Sequence, residues 1–475
     1  MIKKDMYSMQ VEQLSELNKQ LMALQVAFSQ QPYQDTQTRV KLLKTLQQAL
    51  VAHQDELVAA ARSDFNGRTE FDSVFGDIIP TVNALKYMCG HLKGWMKPQK
   101  RSAGMMLWPS KASVHYVPKG VVGVISPWNY PIQLALLPVA TALAAGNRVM
   151  LKLSEFTPQV NQVIKKMFVG LCEHCVIVEG DHHVANAFSQ LKFDHLFFTG
   201  ATEIGKKVMA SAAQNLVPVT LELGGKSPVI IADDADLKHA AKAILFGKLL
   251  NCGQICVAPD YVVVTKPQFE GLIKELKAQY TLNYPNKEHD EKISSIINSR
   301  QFARLNELLV DAKSKGATIW PSLPSQDAPQ RMGLHLVINP SSSMQVMQSE
   351  IFGPILPIMV VDNVDEAIQY VELHERPLAT YLFSDDTSLI NKVSKTLRTG
   401  TLAINETVLQ VTAEDIPFGG VGHSGMGQYH AKEGFIQLSH AKSILHSNKK
   451  TRLRTHLMLK QSKVLTYLVK KLMLK

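Results

Sequence analysis

The stretch Phe246-Gly-Lys-Leu-Leu-Asn-Cys-Gly-Gln-Ile-Cys-Val-Ala-Pro-Asp-Tyr261 joins an apolar helical segment to an apolar, strand-like segment through a turn that contains glycine. Cys256 lies at the end of that turn. A cysteine in this position is expected to be partly exposed with backbone N–H groups directed at it, and both conditions lower the pKa of a thiol. We therefore expect Cys256 to be a nucleophile. The alternative is a small packed residue, which is the usual role of a free cysteine.

Two upstream segments carry the polar groups that a thiol nucleophile needs. Val217-Pro-Val-Thr-Leu-Glu-Leu-Gly-Gly-Lys-Ser-Pro228 reads as a strand that ends in the carboxylate of Glu222 and a Gly-Gly turn. Ser126-Pro-Trp-Asn-Tyr-Pro131 is a turn after another strand, and it carries the amide of Asn129. A thiol, a carboxylate and an amide are the groups required for attack, general base catalysis and oxyanion support.

Together and in this order, the three motifs resemble the aldehyde dehydrogenase superfamily. Residues 247–261 are similar to the class 3 branch of that superfamily, and their motif most resembles that of coniferyl-aldehyde dehydrogenases. The resemblance covers about residues 36–446. It implies an α/β chain with the aldehyde dehydrogenase fold, in which a Rossmann-like doubly wound parallel sheet domain is joined to a second α/β catalytic domain and a small β oligomerisation arm. It also implies a homodimer and NAD(P)-dependent oxidation of a coniferyl, other aromatic or apolar aliphatic aldehyde to the carboxylic acid.

The alternation of strands and helices from residue 114 onward also predicts a parallel, doubly wound sheet. A second α/β unit begins after Ser227. Residues 416–427 are dense in glycine and are expected to be flexible, and they match the loop that closes on the site in this family. The predicted strands of the first unit are residues 120–126, 147–152, 175–179 and 193–200, and its predicted helices are residues 132–145, 158–172 and 203–213.

The resemblance divides the chain into segments with different roles. Residues 98–113 are basic and irregular, and in the family the corresponding segment begins an arm that pairs with a partner subunit. The expected NAD(P)-binding domain comprises residues 1–97 and 114–225, the catalytic domain residues 226–412, the bridging and oligomerisation segments residues 98–113 and 413–446, and the basic amphipathic tail residues 447–475.

The resemblance assigns Cys256, Glu222 and Asn129 to catalysis. The Cys256 thiolate would attack the aldehyde carbon, and the reaction would pass through a thiohemiacetal and a thioester. Asn129 and the backbone N–H of Cys256 would donate to the oxyanion, although Asn129 could instead cap the helix that begins near Pro131. Glu222, unless it is a surface carboxylate, would activate the hydrolytic water with a pKa raised by its apolar surroundings. Superfamily members that transfer the acyl group to coenzyme A generally lack this glutamate, so its presence favours hydrolysis.

The resemblance also assigns the adenosine end of a cofactor site. Lys152 and Glu155 match contacts to the adenosine ribose. Because Glu155 would repel a 2′-phosphate, NAD is favoured, and NADP stays open because class 3 members can use both. Leu153 stands where the family usually has proline, and this difference puts the fine nucleotide preference in doubt.

Glu350 and Phe352 match contacts to the nicotinamide ribose and ring, whereas Ser349 replaces the usual first glutamate of that motif. No GxGxxG motif follows the predicted strands of the first α/β unit. Instead, the segment Phe198-Thr-Gly-Ala-Thr-Glu-Ile-Gly205 lies, in this family, against the dinucleotide, with a helix N-terminus near its pyrophosphate. The remaining predicted cofactor contacts are Ser126, Trp128, Thr199, Gly200 and Gly205.

Five scattered cysteines predict reduced thiols in the cytoplasm rather than a disulfide framework. The histidines show no metal-ligand spacing, and His182-His183 is an isolated pair in a predicted polar loop, so no metal is expected. The N-terminus has no apolar region of the kind found in signal peptides. No apolar run reaches the ~20 residues that a membrane span needs.

The net charge of +10 is concentrated at one end of the chain. No Asp or Glu follows Glu433, and ten Lys or Arg do, so the preceding residues are formally neutral. A nucleic-acid partner is therefore not expected. Residues 448–475 place apolar residues on a helical stripe with lysines between them, which suits peripheral contact with an anionic membrane surface and would favour a long-chain fatty aldehyde as substrate. The alternative is a helix packed on protein or a partly disordered extension.

Overall fold

Three β-sheets organise the part of the chain that the computed structural model describes, residues 2–286, 291–321 and 330–474. Met1, where the predicted NAD(P)-binding domain begins, and Lys475, where the predicted tail ends, lie outside the described residues. The α-helices are α1 (Ile2–Gln30), α2 (Thr36–Ala52), α3 (Gln54–Asp64), α4 (Glu70–Ser73), α5 (Ile79–Trp95), α6 (Gln133–Ala144), α7 (Pro158–Met167), α8 (His182–Ser189), α9 (Thr202–Ala213), α10 (Leu237–Leu249), α11 (Lys266–Asn283), α12 (Ser299–Ser314), α13 (Gln345–Gln348), α14 (Val364–Glu372), α15 (Thr387–Thr396), α16 (Ala431–Gln437), α17 (Arg452–Leu459) and α18 (Lys463–Met473).

The strands agree closely with the predicted ones in the first α/β unit. They are β1 (Gln99–Arg101), β2 (Lys111–Pro118), β3 (Val121–Ile125), β4 (Arg148–Lys152), β5 (Cys175–Val178), β6 (His195–Gly200), β7 (Val219–Leu223), β8 (Pro228–Ile231), β9 (Tyr261–Thr265), β10 (Thr318–Trp320), β11 (His335–Ile338), β12 (Ile355–Val361), β13 (Ala379–Phe383), β14 (Thr401–Ile404), β15 (Gly425–Met426) and β16 (Ser439–His446).

The first sheet has the strand order β15-β7-β6-β3-β4-β5. Strands β3 to β7 are parallel to one another, which confirms the predicted doubly wound sheet, and β15 pairs antiparallel with β7 at its edge. Alternate residues of β3 face different cores: Val122 and Val124 lie in the same cluster as α6, and Val121 and Ile125 lie with side chains of α1 and α8. Helices therefore cover both faces, as a parallel sheet requires, because each of its faces is apolar.

The second sheet has the strand order β10-β11-β12-β9-β8-β13-β14, and only the β10–β11 pair among the described strands is antiparallel. It is the predicted second α/β unit. Strands β8, β9 and β13 are buried along their whole length. Helix α10 precedes β9, and the stretch that contains Cys256 connects the two.

The third sheet is a three-stranded antiparallel arm with the order β1-β2-β16. Strand β2 pairs with β16 from Lys111 to Pro118, so the arm extends beyond the boundary at residue 113 that the sequence suggested. The alternation of strands and helices, predicted from residue 114 onward, therefore begins at β3. Strand β16 lies at the edge of this sheet, and most of its residues are exposed.

The glycine-dense segment 416–427 is expected to be flexible, and the structure shows that part of it is paired with a strand of the first sheet. Gly425 and Met426 form β15, which pairs with Glu222 and Leu221 of β7. A Cβ at Gly425, where φ is +150°, would collide with the carbonyl oxygen of Leu221. The glycines are present because backbone segments approach each other closely here, which is a different use of glycine from flexibility.

The tail was predicted as one helical stripe, but the structure divides it into α17 and α18, with a break at residues 460–462. Arg454 of α17 donates hydrogen bonds to the carbonyl oxygen of Leu107 at 2.5 Å and to Ser110 at 3.2 Å, which ties the tail to the arm. Along the described residues, none of the helices combines the length and the apolar character needed to traverse a bilayer.

Candidate active site

A tight left-handed turn delivers Cys256 to the site. Asn251 and Cys252 have φ values of 47° and 55°, and Gly253 follows with φ +72°. A Cβ at Gly253 would lie 2.5 Å from the carbonyl oxygen of Gly353. The Asn-x-Gly sequence therefore meets two needs, because asparagine and glycine tolerate positive φ and only glycine permits the close approach. Cys252 is fully buried, with its thiol directed at the carbonyl oxygen of Met332 at 3.3 Å.

Cys256 and Asn129 lie between two cavities. The first, which we call the strand-end cavity, has a volume of ≈ 280 Å³ and lies at the carboxyl ends of β6 and β7. The second, which we call the aromatic cavity, has a volume of ≈ 340 Å³. The strand-end cavity is lined by Pro127, Trp128, Asn129, Leu134, Thr199, Gly200, Ala201, Glu222, Leu223, Gly224, Cys256, Gln301, Arg304, Glu350 and Phe352.

Glu222 of β7 is buried, and neither of its carboxylate oxygens has a hydrogen-bond partner among the described residues. Burial raises the pKa of this carboxyl well above its usual value. The expected raised pKa is confirmed, and the alternative of a surface carboxylate is wrong. A buried carboxyl without a partner is free to exchange a proton with a group that enters the cavity.

The expected low pKa of the Cys256 thiol is wrong. Burial raises its pKa to about 12, and the nearby carboxylates of Glu350 and Glu222 act in the same direction. The backbone N–H groups of Cys256 and Val257 lower it, as the turn suggested, but they are outweighed. The thiol is therefore protonated at neutral pH, and it needs a base to become a nucleophile.

The side chain of Asn129 is held by backbone contacts. Its amide nitrogen donates to the carbonyl oxygen of Gln254 at 3.1 Å. Helix α6 begins at Gln133 with Ile132 as its N-cap, so Asn129 does not cap that helix. An amide has two N–H groups, so one remains for a ligand in either cavity.

Arg68 is a residue of the site that the sequence analysis did not identify. It donates to the backbone carbonyl of Asn129 at 2.8 Å and forms a fully buried ion pair with Asp77 at 3.5 Å. Its guanidinium lies 4.9 Å from the ring centroid of Tyr130. Arg68 thus fixes the turn that carries Asn129, and no sequence motif marked it.

The predicted adenosine contacts lie at the end of β4. Lys152 is 2% exposed and pairs with Glu155 at 3.1 Å. Ser126, at the end of the adjacent β3, donates its backbone N–H to the carbonyl oxygen of Lys152 at 3.0 Å. These residues are neighbours across two strand ends, but none of the three lines the strand-end cavity around Cys256.

The predicted nicotinamide contacts do line the strand-end cavity. The rings of Trp128 and Phe352 are nearly perpendicular, with centroids 5.5 Å apart. The carboxylate of Glu350 packs directly over Gly224, where a Cβ would collide with it. Burial raises the pKa of Glu350 to about 8, and the charge of Asp260 adds to the effect.

Thr199 and Gly200, at the end of β6, also line this cavity. Gly205 does not line it, but it lets α9 pack on β7, since a Cβ there would lie 2.6 Å from Leu223. Helix α9 begins with Ala201 as its N-cap and without a side-chain cap at that residue. Its first N–H groups are thus available to an anion at the strand ends.

The aromatic cavity could not be predicted, because much of its wall comes from residues 71–83 and 408–414, which lie far apart in the sequence and in no recognised motif. It is lined by Phe71, Phe75, Gly76, Ile79, Pro80, Asn83, Asn129, Tyr130, Gln133, Leu134, Phe246, Leu250, Ile255, Cys256, Val257, Val408, Leu409, Val411, Thr412, Glu414, Phe418, Tyr429 and His430. Arg304 of α12 lines the strand-end cavity and donates to the carbonyl oxygen of Ile351 at 2.6 Å. It was not predicted either, because it lies in no recognised motif.

One group of potential metal ligands occurs among the described residues. Asp181, His182 and His183 are exposed and bring ligand atoms within 4.8 Å of one another. The pair was predicted in a polar loop, but it forms the first turn of α8, and the Asp181 carboxylate caps that helix. This group is not among the residues that line either cavity at Cys256.

Comparison with known proteins gives a consistent result. A family model described as "Aldehyde dehydrogenase family" matches residues 3–444. A Pseudomonas aeruginosa protein named "Probable coniferyl aldehyde dehydrogenase" is 43% identical over 91% of this chain and 91% of its own length. The coniferyl aldehyde dehydrogenase of Pseudomonas sp. strain HR199 is 41% identical over 83% of each chain. Among solved structures, "Substrate bound state of Staphylococcus Aureus AldH" has a TM-score of 0.86 and 34% identity, covering 91% of this chain and 94% of that one.

Proposed function

Because its sequence matches the family over nearly its whole length, this chain belongs to the aldehyde dehydrogenase family, and we propose that it oxidises an aromatic aldehyde of the coniferyl type to the carboxylic acid. The family oxidises aldehydes with NAD(P) as the hydride acceptor. Two features support the aromatic substrate: the relatives named for coniferyl aldehyde, and the phenylalanine and tyrosine side chains that line the aromatic cavity.

The observation that carries the proposal is that one thiol lines both cavities. Cys256 lies where the strand-end cavity meets the aromatic cavity, with Asn129 beside it in both. A nucleophile in this position can attack a carbonyl carbon that arrives from one side while a cofactor occupies the other. Positioning of this kind lowers a barrier because the reacting groups are already aligned.

The residues present fit a nicotinamide dinucleotide. Helix α9 presents an N-terminus at the strand ends. The paired side chains of Lys152 and Glu155 would hold the adenosine ribose, and Glu350 and Phe352 the nicotinamide end. The chemistry that the dinucleotide supplies when bound is acceptance of a hydride. We propose NAD as the preferred form, because the carboxylate of Glu155 would repel a 2′-phosphate.

The attack step requires proton transfer, because the Cys256 thiol is protonated at neutral pH. We propose that the thiol gives its proton to Glu222 as sulfur bonds to the aldehyde carbon. The product is a thiohemiacetal oxyanion on Cys256. The free N–H of Asn129 and the backbone N–H of Cys256 stabilise this oxyanion, and loss of one such donor costs about 10²–10³ in rate.

The second half of the reaction is hydrolysis of the thioester that oxidation leaves on Cys256. Glu222 first releases the thiol proton to solvent and then takes a proton from water as the water oxygen adds to the thioester carbon. The C–S bond breaks, the acid is released, and the Cys256 thiolate that leaves is protonated again. The raised pKa of Glu222 makes it a stronger base than an exposed glutamate. Neither oxygen is engaged by another described residue, so a water that reaches the carboxyl meets no competing partner.

A panel of aldehydes tests the proposed function. Purified protein would be assayed for NADH formation with coniferaldehyde, benzaldehyde, hexanal and hexadecanal, each with NAD and NADP. The highest kcat/KM is expected for coniferaldehyde with NAD. A kcat/KM that rises steadily with alkyl length would contradict the aromatic substrate, and absence of turnover with every aldehyde would contradict the reaction itself.

A second candidate function is oxidation of a long-chain fatty aldehyde at a membrane surface. The observation that favours it is the tail, where α18 carries Val464, Leu468 and Leu472 exposed on one helical face, with lysines at its margins. A helix of this type binds anionic lipid surfaces. Such binding would bring the enzyme to the surface in which long-chain aldehydes are dissolved.

We also propose that the chain forms a homodimer through its arm. Strand β16 is an edge strand with largely exposed residues, and an unpaired strand edge is a template for pairing with another strand. Sedimentation velocity of the purified protein measures the oligomeric state directly. A monomer at micromolar concentration would contradict this proposal.

A further inference from the structure

His430 lies on the wall of the aromatic cavity, and its Nδ1 has no hydrogen-bond partner in the part of the chain that the structure describes. The residue is 8% exposed, and this nitrogen is buried. The ring stacks on Phe418, with centroids 5.1 Å apart, and meets Tyr429 edge-on at 4.6 Å. These contacts hold the imidazole in one orientation, so its polar atoms are presented at fixed positions.

A buried polar group without a partner is unfavourable, and proteins rarely keep one without a role. Burial lowers the pKa of His430 to about 4, so the ring is neutral near pH 7. A neutral imidazole offers one hydrogen-bond donor and one acceptor. A ligand with a hydroxyl group could satisfy either atom, whereas an alkyl chain could satisfy neither.

Glu414 provides a second polar group on the same wall. It lines the aromatic cavity and, together with Tyr429 and His430, a recess of ≈ 10 Å³ beside it. A space of this size holds about one water-sized group. The other side chains around the recess are mainly apolar: Ala84, Met88, Leu137 and Ala431 line it, together with Tyr87 and Thr141. The recess therefore suits a single hydroxyl group rather than a chain.

The rest of the cavity suits an aromatic ring. Phe71 and Phe75 stack on each other with centroids 4.7 Å apart, and both line the cavity. Aromatic side chains favour ring-shaped ligands through stacked and edge-on contacts. A cavity with aromatic walls, a thiol and a hydroxyl-sized polar recess matches an aromatic aldehyde that carries a hydroxyl group on its ring.

We propose that His430 and Glu414 form a hydroxyl subsite that hydrogen-bonds a phenolic O–H of the substrate, and that this subsite makes the enzyme select hydroxylated aromatic aldehydes over unsubstituted ones. The inference rests on the proposed function and deepens it, because it identifies which side chains set the substrate class. The phenol donates its hydrogen bond to the Glu414 carboxylate or to the unprotonated nitrogen of His430.

The test compares kcat/KM for 4-hydroxycinnamaldehyde with that for cinnamaldehyde, which differ by one hydroxyl group. In the wild type the ratio is expected to exceed about 10, since hydrogen bonds to neutral and charged partners together account for a factor of this size. His430→Phe keeps an aromatic ring but removes both nitrogens, and it should lower the ratio about tenfold. Glu414→Gln should lower it less, because an amide oxygen still accepts.

Val411→Ala is the matched control. Val411 lines the same cavity but has no polar atom, so this variant should change kcat/KM for both aldehydes by similar factors and leave the ratio near the wild-type value. If His430→Phe fails to fold, His430→Asn keeps hydrogen-bonding capacity and should give a ratio between those of the wild type and Glu414→Gln. A wild-type ratio near one, or an unchanged ratio in His430→Phe, would overturn the subsite.

Binding without turnover separates the two proposals. In Cys256→Ala, calorimetry would measure the Kd of 4-hydroxycinnamic acid and of cinnamic acid, the corresponding reaction products. Tighter binding of the hydroxylated acid, lost in the double variant with His430→Phe, supports the subsite even if the assayed aldehydes are poor substrates. Equal affinity for the two acids, in a protein that oxidises aldehydes, overturns the subsite and leaves the proposed function standing.

Discussion

At the residue scale, the chemistry at Cys256 follows from ionisable groups buried together. The thiol and the carboxyls of Glu222 and Glu350 all have raised pKa values, each mainly because of burial. Each group favours its neutral form, and ionisation of one makes ionisation of the next harder. The ionised form of Glu222 therefore binds a proton more strongly than an exposed carboxylate does, which suits it to accept a proton from the thiol or from water.

The first prediction at this scale concerns the nucleophile. Cys256→Ala is expected to lose aldehyde oxidation essentially completely, because no sulfur remains to form the thiohemiacetal. NADH formation measures the loss. Cys172→Ala is the matched control, since Cys172 is an exposed free cysteine away from both cavities. Residual turnover in Cys256→Ala at the wild-type rate would contradict the assignment.

The second prediction links activity and stability at Glu222. The folded-state pKa of this carboxyl is raised, so the folded protein loses stability as pH rises above the unfolded value of about 4.5. The side chain of the Glu222→Gln variant cannot ionise, so its burial no longer lowers the stability of the folded protein as pH rises. We expect it to lower kcat and to raise the thermal midpoint, with a larger rise at pH 8 than at pH 5.

Differential scanning fluorimetry across this pH range, with Glu203→Gln as the exposed control, measures the effect. A midpoint that falls in Glu222→Gln, or that shifts equally at both pH values, would show that the carboxyl is not held in its neutral form.

The third prediction concerns the nucleotide. Glu155 pairs with Lys152 at 3.1 Å, and its charge would lie near any 2′-phosphate. Glu155→Gln is expected to raise kcat/KM with NADP several-fold and to lower it with NAD, because repulsion and a ribose acceptor are both weakened. Initial rates with the two nucleotides measure the ratio, and an unchanged ratio would remove Glu155 from cofactor selection.

Residues in motifs were predictable, and residues outside them were not. The roles of Cys256, Glu222 and Asn129 could be assigned from local sequence motifs. The direction of the shift in the Cys256 pKa could not, because it depends on burial and on carboxylates that the fold brings near the thiol. Arg68 lies just before α4 and holds the turn that carries Asn129. Its role could not be predicted from a local motif, since its partners Asp77 and Asn129 are 9 and 61 positions away.

At the element scale, glycines mark places where backbones approach closely. The segment 416–427 was expected to be flexible from its composition, yet β15 is fixed against β7 beside Glu222. Strand and helix positions in the first α/β unit followed from apolar periodicity, which depends only on local sequence. Close approach of two distant backbones is not local, so composition alone could not distinguish it from mobility.

The prediction at this scale is a glycine comparison. Gly425→Ala is expected to destabilise the protein by more than about 1 kcal/mol, because a Cβ collides with Leu221 at an unfavourable φ. It should also lower kcat, since the β15–β7 pair positions Glu222. Gly90→Ala is the control: it lies in α5 with no atom within 4 Å of the added Cβ, and the change should stabilise by about 0.5–1 kcal/mol. Urea unfolding measures the free energy of unfolding of both variants. Equal changes in the two would contradict the close approach of backbones at Gly425.

At the scale of the whole molecule, the site exists only where remote segments meet. The aromatic cavity combines residues 71–83 with residues 408–430 around Cys256. Sequence reasoning predicted the two α/β units and the arm, because each is built from neighbouring elements with clear periodicity. It could not predict the cavity walls, since their apolar residues look like any other core residues until the chain is folded.

The tail gives the last prediction, which also belongs to the whole molecule. Ten Lys or Arg and no acidic residue follow Glu433, and α18 exposes an apolar face. Full-length protein is expected to sediment with vesicles that contain phosphatidylserine and to be released as salt rises from 50 to 200 mM, because each basic residue near an anionic surface contributes about 1 kcal/mol that salt screens. A variant that ends at Ser447 retains β16 and both cavities, so it should stay in the supernatant and keep coniferaldehyde oxidation. Equal sedimentation of both forms, or none by either, would assign the tail to contacts within the protein.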